Sequence, residues 1–249
     1  MTTDATVTVT PAQREQFARD GYVVLESVLS AGQLEALRGE CARLIAAKDA
    51  EMDALGVDTL LLNHRGSRYF MSGFSRESEA LRGFLFSSLM ADVCRATLGP
   101  DVLLFNEQYV VKAAERGMSF GWHQDSGYVT AEHRPYLTCW IPLDDVDERN
   151  GTVHLLPYSQ AGTRDVVPHR HDEATNDMVG YFGPEPGVPI VAPAGSIACF
   201  SSTVFHRSGA NTTDRMRRVY VAQYSVEPIP DANPGTFTDP FLVEGRIAA

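Results

Sequence analysis

The chain has no cysteine pair at metal-binding or redox spacing. Cys41, Cys94, Cys139 and Cys199 are its four cysteines, and they lie far apart. That excludes a C-x-x-C site or a zinc ribbon and predicts four reduced, mostly buried thiols in a reducing, cytoplasmic compartment. No apolar run approaches the length of a membrane span. Met1 to Thr10 is polar and threonine-rich, without the basic and apolar regions of a secretory signal, and is expected to be flexible. Positive charge is also short: 21 Lys and Arg against 32 Asp and Glu leave a net charge of −11. Such a surface repels phosphate backbones, which argues against nucleic acid as a partner.

What remains is a chain of 249 residues, 44% hydrophobic, which is enough for one globular domain over residues 1–249. Its first part, 11–99, reads as mainly helical. Thr10 and Gln13 form a capping box with Pro11 at the first helical position, and Gly21 stops that helix. Tyr22 to Leu25 is a short strand. Ser30 and Gln33 open a longer helix with Leu34, Leu37, Cys41, Leu44 and Ile45 on its apolar face. A third helix is expected over about Glu77 to Leu98. After Gly99-Pro100 the texture becomes short apolar runs between turns: Val102 to Phe105, Gln108 to Lys112, Leu137 to Leu143, Val153 to Leu156, Val188 to Val191, Ile197 to Phe200 and Val219 to Ser225. Asn150-Gly151 reads as a hairpin turn, and Pro193-Ala194-Gly195 as a tight turn. Helices followed by strands make an α+β domain, and a closed or double-sheet architecture hides the strand edges. The core spans 100–227, with 228–249 as a C-terminal extension. Residues 161–187, polar and rich in Gly, Pro and His, read as a long loop of the kind that forms lids.

Trp122-His123-Gln124-Asp125 is the sharpest chemical signal. On a strand, residues i and i+2 share a face, so His123 and Asp125 can hold one metal while Gln124 faces away. His206 is the candidate third ligand. Two His and one carboxylate on one face of an octahedron leave three positions open, which suits ferrous iron binding a cosubstrate and O2 together. Arg217, eleven positions after His206, offers a bidentate fork for the distal carboxylate of a dicarboxylic acid. Ser208 can add a hydroxyl to it. Arg217 also sits in the run Arg215-Met216-Arg217-Arg218, where a surface charge is the plainer explanation. His169 and His171 read as a solvated pair, and His64, His133 and His154 as surface or satisfied core residues.

Phe17-x-x-x-Gly21-Tyr22-Val23-Val24, the box Trp122 to Asp125, Trp140, Asn150-Gly151, and His206-Arg207-Ser208-Gly209-Ala210-Asn211 with Arg217 occur in the order and spacing of a known family. Over about Phe17 to Tyr224 the chain resembles the phytanoyl-CoA dioxygenase family of Fe(II)/2-oxoglutarate-dependent oxygenases. The resemblance implies a double-stranded β-helix, or jelly roll, with N-terminal helices packed on one sheet. It implies iron ligands at His123, Asp125 and His206, and 2-oxoglutarate contacts at Arg217, Ser208, Trp140 and Gln108. It also implies hydroxylation of a C–H bond of a small or medium-sized metabolite, with release of succinate and CO2. Asp125 argues against a halogenase, since the related halogenases have a small residue there. The chain departs from the family at Tyr158 and Gln160, where relatives often have Gly and His, so no relative's substrate transfers directly. Phe120, Trp122, Tyr128, Arg134, Tyr158 and Arg68 are candidate substrate-wall residues. The same cofactors also serve desaturation, cyclisation or alcohol-to-ketone oxidation. A cupin-like metal hydrolase or isomerase and a non-catalytic jelly-roll binding protein are the readings from other classes. A monomer or weak homodimer is expected.

Overall fold

The computed structural model describes residues 9–114, 119–173, 177–229 and 238–248. The expected flexibility of the first ten residues therefore falls almost wholly outside the described part. The N-terminal half holds helix α1 (Pro11–Asp20), strand β1 (Tyr22–Leu25), helix α2 (Ala31–Leu55), strands β2 (Thr59–Leu60), β3 (Asn63–His64) and β4 (Arg68–Ser72), and helices α3 (Glu79–Leu85) and α4 (Ser88–Thr97). Strands follow: β5 (Val102–Lys112), β6 (Phe120–His123), β7 (Leu137–Pro142) and β8 (Val153–Leu156). A single helical turn, α5 (Tyr158–Ala161), precedes β9 (Arg170–Asp172), β10 (Asp177–Val179), β11 (Val188–Pro189), β12 (Ile197–Ser201), β13 (Phe205–Ser208), β14 (Arg217–Ser225), β15 (Asp239–Val243) and β16 (Arg246–Ile247).

Both expected capping boxes form: Thr10 and Ser30 accept from Gln13 N and Gln33 N, and each Gln side chain reaches back to its cap. Gly21 ends α1 at φ +84°, and Gly195 makes its turn at φ +81°, both left-handed positions that glycine adopts without cost. The expected third helix is interrupted. Ser87 caps a new start for α4 by accepting from Met90 N, so α3 and α4 are separate helices. Asn150-Gly151 is also not a hairpin turn. Asp147 caps the short 3-10 turn Glu148–Asn150, Gly151 closes it at φ +75°, and the chain passes from one sheet to the other.

The large sheet runs β1-β12-β7-β14-β5-β4-β3-β2, with β15 and β16 added beside β5, so residues expected only as an extension complete it. The small sheet runs β11-β8-β13-β6. Strands β7 and β12 are buried on both faces because the large sheet is covered twice. Its outer residues, among them Tyr109, Val111, Cys139, Ile141, Tyr220 and Tyr224, pack with Leu37, Cys41, Leu81, Leu85, Leu89 and Val93 of the helices. Its inner residues, among them Trp140, Ala198, Phe200, Val219 and Val221, pack against Val153 and Leu155 of the small sheet. This is the expected jelly roll with helices on one sheet, and its cavity lies between the two sheets. All four cysteines are buried free thiols, and burial pushes Cys41 up to about 12. No helix among the described residues is long and apolar enough to cross a membrane.

Candidate active site

The small sheet brings the ligand residues together. His123 ends β6 and is the direct cross-strand partner of His206 on β13, with their ring centroids 4.1 Å apart. Gln124 stays extended (φ −110°, ψ 139°), so Asp125 returns to the His123 face before the chain curls into a 3-10 turn. One ligand atom from each of His123, Asp125 and His206 lies within 4.8 Å of the other two. His206 Nε2 is 3.5 Å from Asp125 Oδ1. Cis ligands about 2.1 Å from a common ion stand about 3 Å apart, so the donor set suits one octahedral cation.

Neighbouring groups leave the right atoms free. His123 Nδ1 donates to Gly121 O (2.8 Å) and His206 Nδ1 to Val204 O (3.1 Å), which turns both Nε2 atoms toward the shared point. Burial, and then the adjacent His206, hold the His123 imidazole well below its usual range and therefore neutral, the form that ligates. Asp125 Oδ2 accepts from Thr138 Oγ1 (2.5 Å) and Gln223 Nε2 (3.1 Å), leaving Oδ1 for a metal. Asn106 Nδ2 donates to Gln223 Oε1 and so fixes which way that amide points. Thr138, Gln223 and Asn106 carry no motif. Their one signal in the sequence is a polar side chain within a strand that is largely buried.

The three side chains border a cavity of about 560 Å³ between the sheets. Arg217 stands in its wall, 1% exposed, with its guanidinium carbon 5.8 Å from the Trp140 ring centroid. Among the described residues its Nη atoms reach only backbone carbonyls, Val110 O at 3.4 Å and Gly151 O at 3.2 Å, and its Nε has no partner. Burial lowers Arg217 to about 10, so it stays charged at neutral pH. A buried cation with an orphaned donor fits a carboxylate. Ser208, Gln108 and Trp140 line the same cavity. Lys112 lies fully buried beside Ser208, and burial, then Arg217, push it down to about 5.

Of the candidate wall residues, Arg68, Phe120 and Tyr128 line the cavity and three do not. Trp122 alternates with His123 and faces the other way, against Tyr181 and Arg207. Arg134 is exposed and paired with Glu227 (3.0 Å). Tyr158 donates to or accepts from Thr203 Oγ1 and lies under Arg164, close to Gly21. Two expectations for histidine change. His64 lines the cavity mouth. His169 is not a solvated residue: its ring is wedged between Gly127 and Gly180, where a Cβ would overlap it, and its Nε2 accepts from Gln124 N (2.8 Å). The 161–187 segment carries the β9–β10 hairpin, and Asp177 and Met178 of β10 join the cavity wall.

The sequence matches the phytanoyl-CoA dioxygenase (PhyH) family over residues 17–219. It is 25% identical over 254 residues to a probable alpha-ketoglutarate-dependent hypophosphite dioxygenase of Stutzerimonas stutzeri, covering 94% of this chain and 86% of that protein. It is 25% identical over 224 residues to the ectoine dioxygenase of Stutzerimonas stutzeri (strain A1501), covering 82% and 72%. Among solved structures, EvdO2 from Micromonospora carbonacea var. aurantiaca complexed with 2-oxoglutarate superposes with a TM-score of 0.70 at 22% identity, covering 93% of this chain and 96% of that one. The alpha-ketoglutarate-dependent carbocyclase SnoK from nogalamycin biosynthesis superposes at 0.69 and 19% identity, covering 89% and 87%. These superpositions establish the shared fold. The family match spans most of the chain, including both halves of the ligand set and the buried arginine: the chain belongs to the phytanoyl-CoA dioxygenase family.

Proposed function

We propose that His123, Asp125 and His206 hold ferrous iron and that Arg217 and Ser208 grip the distal carboxylate of 2-oxoglutarate, in an enzyme that hydroxylates a C–H bond of a small or medium-sized metabolite. Family membership makes the chain a 2-oxoglutarate-dependent oxygenase, an oxidoreductase. The observation that supports the assignment of roles is the pairing of a convergent His-Asp-His set with a buried guanidinium whose Nε has no partner among the described residues, both on one cavity. Held by these three residues, iron would supply the redox chemistry that couples the cosubstrate to O2. The protein's own part is positioning. Thr138 and Gln223 orient Asp125, Arg217 and Trp140 orient the cosubstrate, and the walls hold one C–H bond near the metal.

Arg68 and Asp177 suggest what the substrate presents. Arg68 Nε donates to Leu62 O, its guanidinium lies 5.6 Å from the Phe70 ring centroid, and burial lowers it. Asp177 Oδ2 accepts from Gly121 N at 2.8 Å. Both line the cavity together with Phe70, Phe105, Phe120 and Tyr128. A polar metabolite with an anionic or hydrogen-bond-accepting end fits this wall, a class to which the named substrates of the relatives, hypophosphite and ectoine, also belong. The proposal includes a single catalytic unit in a cytoplasmic setting, supported by the four free buried thiols.

A screen of polar metabolites for substrate-stimulated succinate release, with mass analysis of the product, tests it. Asp125→Ala is expected to abolish turnover, and full turnover by that variant would sink the ligand assignment. A product lacking two hydrogens, with no added oxygen, would move the reading to desaturation, cyclisation or alcohol-to-ketone oxidation.

A further inference from the structure

Lys112 ends β5 with its side chain fully buried, a rare place for a lysine. The register sets it between two guanidinium groups, opposite Arg217 on β14 and opposite Arg68 on β4. Directly paired residues share a face, so three basic side chains stand in a row on the cavity side of the large sheet, where the arginine charges disfavour a third. The Lys112 nitrogen is held by neutral groups: Ser208 Oγ at 2.8 Å, Gly209 O at 2.5 Å and the face of Phe120, 4.9 Å to its centroid. Ser208 and Phe120 are on the small sheet and Gly209 directly follows it, so this contact ties one sheet to the other.

The count of protons then decides what Ser208 can do. A lysine nitrogen has two N–H donors even when neutral and three when charged, enough for both Ser208 Oγ and Gly209 O, and a serine hydroxyl has one proton to give. Ser208 Oγ accepts from Lys112, which leaves its own proton for another partner. That is the one hydrogen bond of the Ser208 side chain among the described residues, and Ser208 lines the cavity with Arg217. We infer that Lys112 is a positioning residue for the cosubstrate: it fixes Ser208 as a hydrogen-bond donor to the carboxylate that Arg217 grips, without touching that carboxylate itself. An anion at Arg217 also offsets the guanidinium repulsion that, after burial, depresses Lys112. The inference rests on the cosubstrate assignment proposed above.

The test is calorimetric binding of 2-oxoglutarate to the full chain loaded with Zn(II), which occupies the same donor set without redox turnover. Ser208→Ala and Lys112→Met are each expected to weaken binding by about tenfold or more, the scale of one hydrogen bond to a charged group. The double variant is expected to bind no worse than Ser208→Ala alone, because both remove the same donor. Lys112→Gln, whose amide can still donate to Ser208, is expected to recover part of the loss. Zn(II) affinity should stay within a few-fold of the parent throughout. Wild-type affinity in Lys112→Met, or single losses that multiply in the double variant, would overturn the inference. So would unaltered affinity in Ser208→Ala, whatever the Lys112 variants do. Arg217→Met separates the two readings: normal binding there sinks the cosubstrate assignment itself, whereas lost binding there beside normal binding in Lys112→Met sinks only the role of Lys112.

Discussion

Asp125 has two oxygens, and the protein uses them differently. Oδ2 is occupied by Thr138 and Gln223, so Oδ1 is the oxygen left to ligate, and the carboxylate cannot swing to offer both. Thr138→Val keeps the volume and removes one donor. It is expected to lower Fe(II) affinity about tenfold, the lower end for partners of metal ligands, as measured by competition with a chelator. Unchanged affinity would show that Gln223 alone holds the carboxylate. Gly127 makes a second residue-scale prediction. A Cβ there would overlap the His169 ring, so Gly127→Ala forces either the ring or the ligand turn to move. The expected cost is about 1–3 kcal/mol of stability in denaturant unfolding, typical of overpacking. Residues of this kind explain why the sequence showed half of the site. His123, Asp125, His206 and Arg217 stand at spacings that chemistry dictates. Thr138, Gln223, Asn106 and Lys112 matter through where distant strands lie, and one-dimensional spacing holds no trace of that.

At the scale of elements, Gln124 shows how alternation becomes function. It sits between two ligand residues and points the opposite way, fully buried. Its Nε2 donates to Asp165 O and Thr203 O, and its Oε1 accepts from Val167 N. The base of the 161–187 segment is thereby fastened to the ligand strand, and Gly180 N adds a bond to Trp122 O. His169 completes the fastening only while its Nε2 is an acceptor. Burial lowers His169 below the ordinary value of about 6.5. The neutral form therefore stabilises this packing above that pH, and the stabilisation is lost as pH falls toward the folded value. Protection of the amides in residues 163–169, relative to their intrinsic exchange rate at each pH, is expected to fall on acidification below about pH 6.5, and His169→Gln should flatten that dependence. An equal loss of protection in both proteins would refute the role given to His169. The sequence suggested only a long polar loop here, because strands β9 and β10 are three residues long each, too short for a periodic signal. The break between α3 and α4 was hidden for the opposite reason: the apolar period of Leu81, Phe84, Leu85, Leu89 and Val93 runs across it. Asn150-Gly151 misled because the same dipeptide that turns a hairpin also closes a capped 3-10 turn.

For the whole molecule, two covered faces and one row of helices account for most of the burial, and both were readable from the capping boxes, the apolar runs and the family resemblance. The pairing of strands distant in sequence, such as β1 with β12 and β5 with β15, was not readable, since nothing local specifies it. The architecture also divides the labour of the site. His123 and His206 come from the small sheet, whereas Arg217, Trp140, Thr138 and Gln223 come from the large one. Metal and cosubstrate, bound as proposed, would act together as a strut across the gap between two slabs. Heating the protein with both present should raise the melting temperature by more than the two separate shifts added, and amides of β6 and β13 should become the slowest to exchange in the small sheet. A jelly roll assembled this way registers its own loading as stiffness.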